Sequence, residues 1–116
     1  MTRVTKKNYL LIIGGGRRED ALKKTYVDDK RRFDQFSELI MNKDYLDFGT
    51  GLGGVLDFFK PVAKSIYGIE LQSEIKQYLR DQLNYKMFGS INEIPSDLKF
   101  DIVSLFHGFE HLSEPL

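Results

Sequence analysis

The chain has 116 residues and a mass of 13.5 kDa, enough for one domain with its own core and short for two. With no cysteine, a disulfide framework, a thiolate metal site and a cysteine nucleophile are all excluded. The 17 basic and 17 acidic residues cancel, so no global charge recruits nucleic acid or an anionic membrane.

No signal-peptide pattern is present, and the longest wholly apolar run, Leu10 to Ile13, is far too short to span a bilayer. The expectation is a soluble cytoplasmic protein. The cancelled charge conceals an asymmetry. Residues 1–43 carry 11 Lys and Arg against 6 Asp and Glu, whereas residues 44–116 carry 6 against 11. We read 1–43 as an N-terminal extension with a lead-in helix, and 44–116 as the core of the domain.

In chain order, residues 1–8 form a basic terminus, and Tyr9 to Ile13 reads as an extended segment ended by Gly14, Gly15 and Gly16. Arg17 to Asp20 is a solvated charge run. From Asp28 to Met41, Phe33, Phe36, Leu39 and Ile40 recur at helical spacing, and Asn42 to Asp44 stops the helix. Tyr45 to Phe48 is a strand that runs into the glycine cluster Gly49 to Gly54. Val55 to Phe59 starts a helix that Pro61 ends or kinks. A second strand covers Ile66 to Glu70. Ser73 caps a helix through Leu83, with Ile75, Tyr78, Leu79 and Leu83 on one face. A third strand covers Tyr85 to Phe88, and Ser90 to Glu93 has capping-box spacing for a short turn before Pro95. The last strand, Phe100 to Phe106, is apolar enough for burial on both faces of a parallel sheet. This alternation predicts an α/β, doubly wound, Rossmann-like parallel sheet of about four strands, incomplete, with an N-terminal helical lead-in. The last strand would leave an apolar edge that a partner, a second copy or further chain must cover.

The chemistry-bearing segment is Asp47-Phe48-Gly49-Thr50-Gly51-Leu52-Gly53-Gly54, between a strand and a helix. Without Cβ atoms, a turn lets a nucleotide-like ligand approach the backbone, and the helix start offers free N–H groups. Glu70, 17 residues past Gly53, closes the next strand, where a carboxylate can accept two bonds from ribose hydroxyls. Two templates fit. Gly49, Gly51 and Gly54 satisfy the dinucleotide fingerprint G-x-G-x-x-G. Asp47, Gly49, Gly51 and Gly53 satisfy D-x-G-x-G-x-G, and a carboxylate there would repel a pyrophosphate but attract an ammonium.

Over residues 45–116 the chain resembles the class I S-adenosylmethionine-dependent methyltransferases. Besides the glycine loop, Tyr67-Gly68-Ile69-Glu70-Leu71 looks like the family's second-strand acid motif. Phe100 to His107, followed by Glu110-His111-Leu112, resembles its fourth strand and following loop, in the E-H-L branch. The resemblance implies that Asp47, Phe48, Gly49, Gly51 and Gly53 line the methionine end of S-adenosylmethionine, with Phe106 nearby. Glu70 would hold the ribose and Leu71 would pack on adenine. Where many members place an acid after the third strand, this chain has Ser90 and Ile91, which take the adenine role. The family's three further strands are absent.

His107, Glu110 and His111 form a cluster at the end of the sequence. His107-x-x-Glu110-His111 matches an inverted zinc-protease pattern, but a strand end and Gly108 do not supply its helical face. A histidine outside the carboxyl end of a parallel strand can instead be a general base, and His107 and His111 are the catalytic candidates, with no metal site assigned. Alternatively, Glu110 and His111 cap the next helix. The implied activity is methyl transfer from S-adenosylmethionine to a small-molecule acceptor, sugar- or quinone-like, without nucleic acid or membrane. Two alternatives stay open: an NAD-type oxidoreductase domain, and a non-catalytic binding or assembly module.

Overall fold

The structure is a computed structural model and describes residues 18–106. Helix α1 (Arg18–Ile40) leads into strand β1 (Asp44–Phe48), helix α2 (Gly54–Phe59), strand β2 (Ser65–Ile69), helix α3 (Ser73–Asp81) and strand β3 (Lys86–Phe88). A 3₁₀ turn (Ile91–Glu93) and strand β4 (Ile102–Ser104) follow. The four strands are parallel in the order β3-β2-β1-β4. Two βαβ crossovers therefore step outward to β3, and the chain then returns across the sheet to lay β4 on the other side of β1. The carboxyl ends of β1 and β4 thus meet at a topological switch point, where open α/β sheets bind ligands. The predicted fold class holds.

The period of two along β1 divides the core. Tyr45 packs toward the helices, in a cluster with Ile40 of α1 and Val55 and Phe59 of α2. Leu46 and Phe48 point to the opposite face and join Ile69, covered by Phe88, Ile94 and Phe100. A third cluster seats α3 through Ile75 and Leu79 against Leu56, Tyr85 and Met87. Phe33 and Phe36, read as a helical stripe, are core residues packed on the cluster around Tyr45.

Four expectations need correction. Helix α1 covers Arg18–Ile40, reaching ten residues before the predicted start, so Arg18 to Asp20 of the charge run lie in its first turn. Glu19 and Asp20 there suit the positive end of the helix dipole, while Leu22 and Thr25 give too narrow an apolar stripe to register as periodicity. The cap of α3 is Gln72 rather than Ser73, and neither it nor Ser90 makes a side-chain cap bond. Strand β4 is only three residues long, and Val103 is 55% exposed rather than buried. Among the described residues β4 pairs only with β1, so one edge and one face stay open. The extended segment expected at Tyr9 to Ile13 lies outside the described residues.

Adjacent phenylalanines on α2 test this partition. Phe59 is 0% exposed and meets Tyr45 edge-on with ring centroids 5.4 Å apart, whereas Phe58 is half-buried against Tyr26 and Phe33. Phe59→Ala should cost about 3–5 kcal/mol and Phe58→Ala about 1 kcal/mol in urea unfolding. Equal losses would contradict the assignment of Phe59 to the core.

Candidate functional site

The loop after β1 owes its shape to three positive φ angles, at Gly49 (74°), Gly51 (57°) and Gly53 (85°), a region that side chains disfavour. It is pinned to β2 by Gly49 and Thr50, whose N–H groups donate to the Ile69 carbonyl at 2.8 and 3.2 Å. Glu70 then ties both turns together. One carboxylate oxygen accepts from the Gly51 N–H at 2.9 Å and the other from the Gln72 N–H at 2.9 Å.

Between this loop and α1 lies a cavity of about 430 Å³. Phe48, Gly49, Gly51, Glu70 and Leu71, all predicted site residues, line it together with Thr50, Leu52 and Gln72. A Cβ on Gly51 would meet no heavy atom within 4 Å, so the backbone there faces open space. The Oγ1 of Thr50 is buried without a hydrogen-bond partner among the described residues, a spare polar group in the loop. Among the described residues the charged side chains of the lining are Asp29 and Glu70, and none is Lys, Arg or His. This donor set fits a ligand with cationic groups better than one with a pyrophosphate.

Asp47 lies beneath the loop, 0% exposed and outside the cavity wall. The parallel register places it opposite Ser104, whose hydroxyl donates to Asp47 Oδ1 at 2.6 Å. Since a hydroxyl has one proton, the 2.6 Å contact between Tyr45 and Ser104 must have the phenol as donor. A chain of hydrogen bonds from Tyr45 through Ser104 thus ends on the Asp47 carboxylate and fixes its rotamer.

The remaining predicted residues fall elsewhere. Gly53 is turned toward the protein interior, where a Cβ would sit 3.1 Å from Leu79 Cδ2 and 3.3 Å from an Arg18 guanidinium nitrogen. Ser90 and Ile91 stand beyond β3, off the cavity lining. Phe106 packs on Phe36 with ring centroids 5.5 Å apart, under the Arg32 guanidinium at 5.0 Å. His107 and His111 lie outside the described residues.

Sequence reasoning missed the wall supplied by α1, made of Ala21, Leu22, Thr25 and Asp29. It is fastened at its start by Arg18, which donates to the Leu52 carbonyl at 2.8 Å and pairs with Asp57 at 2.9 Å. Asp57 also accepts a hydrogen bond from the Tyr85 phenol. Asp29 docks on the loop two residues further on: a Cβ on Gly54 would collide with its Oδ2. Gly54 is therefore demanded by its neighbour, not by its own dihedrals. A lone acid in a charged helix carries no signal for this; the signal would have been a small residue in the loop opposite a helix spaced to meet it.

A family described as methyltransferase domain matches residues 19–116. No curated protein matches the chain. Among solved structures, DesVI of Streptomyces venezuelae is similar with a TM-score of 0.63 and 20% identity, over 85% of this chain and 47% of that one. A SAM-dependent methyltransferase from Aquifex aeolicus gives 0.56 and 25% identity, over 83% of this chain and 60% of that one. A Pyrococcus horikoshii protein, described provisionally as an RNA methyltransferase, gives 0.54 and 25% identity, over 66% and 41%. The fold, the glycine loop and the family match place the chain in the class I S-adenosylmethionine-dependent methyltransferases; it belongs to the methyltransferase-domain family. It spans only 41–60% of the length of these structures.

The buried phenols give this arrangement a pH signature. Burial, and then the neighbouring Asp47 carboxylate, push the Tyr45 phenol well above its ordinary value. Burial and the bond to Asp57 do the same for Tyr85. Both raised values hold a proton that the unfolded chain releases above about pH 10, so stability is intact below that pH and lost as pH rises. The thermal midpoint should stay level from about pH 7 to 9 and drop above about pH 10, more gently in Tyr45→Phe. An identical drop in that variant would sever Tyr45 from the effect.

Proposed function

We propose that this chain carries the cofactor-binding half of an enzyme that transfers a methyl group from S-adenosylmethionine to a small-molecule acceptor. The observation that carries the reading is the cavity over the glycine loop, walled by Glu70 and Asp29, with no basic side chain among the described residues that line it. When bound, S-adenosylmethionine supplies an electrophilic methyl on a sulfonium. The residues of this chain bind and orient. The open backbone at Gly51, beside Gly49 in the cavity lining, admits the methionine end, and Asp47, fixed by Ser104, holds the strand end beneath it. Glu70 accepts one backbone N–H on each oxygen and keeps a lone pair on each for the ribose hydroxyls. Leu71, half-exposed after β2, offers an apolar face to adenine, with Ser90 and Ile91 as the outer rim. Alignment of acceptor and cofactor supplies most of the rate, and His107 or His111 takes the proton from an acceptor hydroxyl or amine.

Balanced charge supports a small acceptor. On α1, Lys30 and Arg31 are paired with Asp34 and Asp28 rather than forming a basic face. The resemblance to the Pyrococcus protein favours RNA as a second acceptor class. Calorimetric titration with adenosylhomocysteine should show binding, and NADH should show none. Glu70→Ala should weaken adenosylhomocysteine by about tenfold or more, as expected for lost charge-assisted bonds. Binding of NADH without adenosylhomocysteine would replace this reading with a dinucleotide site.

A further inference from the structure

We infer that the Thr50 hydroxyl is a binding group for the carboxylate at the methionine end of the cofactor. The inference rests on the cofactor reading above. Thr50 lines the cavity between Gly49 and Gly51, yet it is only 3% exposed. Its Oγ1 is buried without a hydrogen-bond partner among the described residues. A hydroxyl in that state costs free energy that a partner would recover. The Thr50 backbone is fixed on both sides: its N–H donates to the Ile69 carbonyl at 3.2 Å, and its carbonyl accepts from the Gly53 N–H at 3.0 Å. What stays adjustable is χ1, and a turn about it moves the hydroxyl from one staggered position to another. A lining side chain that turns in this way hands its hydroxyl to a ligand without disturbing the loop.

The rest of the loop has little to offer an anion. The N–H groups of Gly49 and Thr50 go to the Ile69 carbonyl, that of Gly51 to Glu70, and that of Gly53 back to Thr50. These backbone donors are spent on holding the loop in shape. Among the described lining residues none is Lys, Arg or His. Glu70, when ionised, can only accept. A carboxylate that enters over the loop therefore finds a donor in the Thr50 side chain, and a hydrogen bond to a charged acceptor is stronger than one between neutral groups. One hydroxyl gives one proton, so Thr50 orients the methionine end and leaves the rest of that carboxylate to solvent.

The test sets Thr50→Val, which keeps the branched shape without the hydroxyl, beside Thr50→Ser, which keeps the hydroxyl. Calorimetry on the whole chain uses two probes: adenosylhomocysteine, and methylthioadenosine, which has the adenosine but no amino-acid end. Thr50→Val should bind adenosylhomocysteine about tenfold more weakly and methylthioadenosine within about twofold of the unaltered chain. Thr50→Ser should hold adenosylhomocysteine within about threefold. Without ligand, Thr50→Val should have a thermal midpoint no lower than the unaltered chain, because it removes an unsatisfied buried group. Unchanged adenosylhomocysteine affinity in Thr50→Val, the same loss in Thr50→Ser, equal losses for both probes, or a lowered midpoint each overturns the assignment and leaves the cofactor reading intact. Failure of the unaltered chain to bind adenosylhomocysteine overturns both.

Discussion

The cavity depends on the Glu70 carboxylate more than on any other group. A glycine-rich loop is entropically costly to hold still, because each glycine surrenders more backbone freedom than any other residue. Here one carboxylate spans two turns that are distant in sequence, with one oxygen on Gly51 and the other on Gln72. The loop after β1 and the turn after β2 are therefore one unit, and a residue whose expected task is to hold ligand also shapes the cavity. Charge-assisted bonds to backbone N–H groups are among the stronger in proteins, which suits this double duty.

Helix α1 is the second element of the arrangement, and it is neither a tail nor a spacer. Its aromatic stripe enters the core at Phe33 and Phe36, and its first turns come round to wall the cavity. Arg18 grips the loop at Leu52 and Asp29 presses on Gly54, so one element holds the second half of the glycine segment, while β2 holds its start. Part of the basic charge of residues 1–43 is paired locally. Lys30, Arg31 and Arg18 each answer an acidic partner, one of them on α2.

Much of this was readable from residues. Alternating strand and helix signals, the glycine spacing and Glu70 at the close of the next strand sufficed for the topology and the floor of the site. What escaped reading was of one kind, namely pairings set by tertiary approach. Ser104 looks like an unremarkable residue in an apolar strand until the register sets it opposite Asp47. Asp29 looks like one more charge in a charged helix until α1 is laid against Gly54. The first turns of α1 lacked an apolar stripe because they face a cavity and not a core. Val103 was read as buried on composition alone, although a strand at the edge of these residues leaves it open.

The sheet is not equally strong along its width. Strands β1 and β2 pair over five residues, whereas β1 and β4 pair over three, from Tyr45 opposite Ile102 to Asp47 opposite Ser104. That short seam is the one that carries Ser104 to Asp47. Cooperative units open locally according to their own contacts, so β4 can peel away at a lower free energy than unfolds β1 and β2. When it does, Asp47 loses its hydroxyl partner while the glycine loop, held through Glu70, keeps its shape. Among the described residues the two anchors thus differ in persistence: the loop is tied down through Glu70, whereas the hydroxyl that fixes Asp47 sits on the shorter seam.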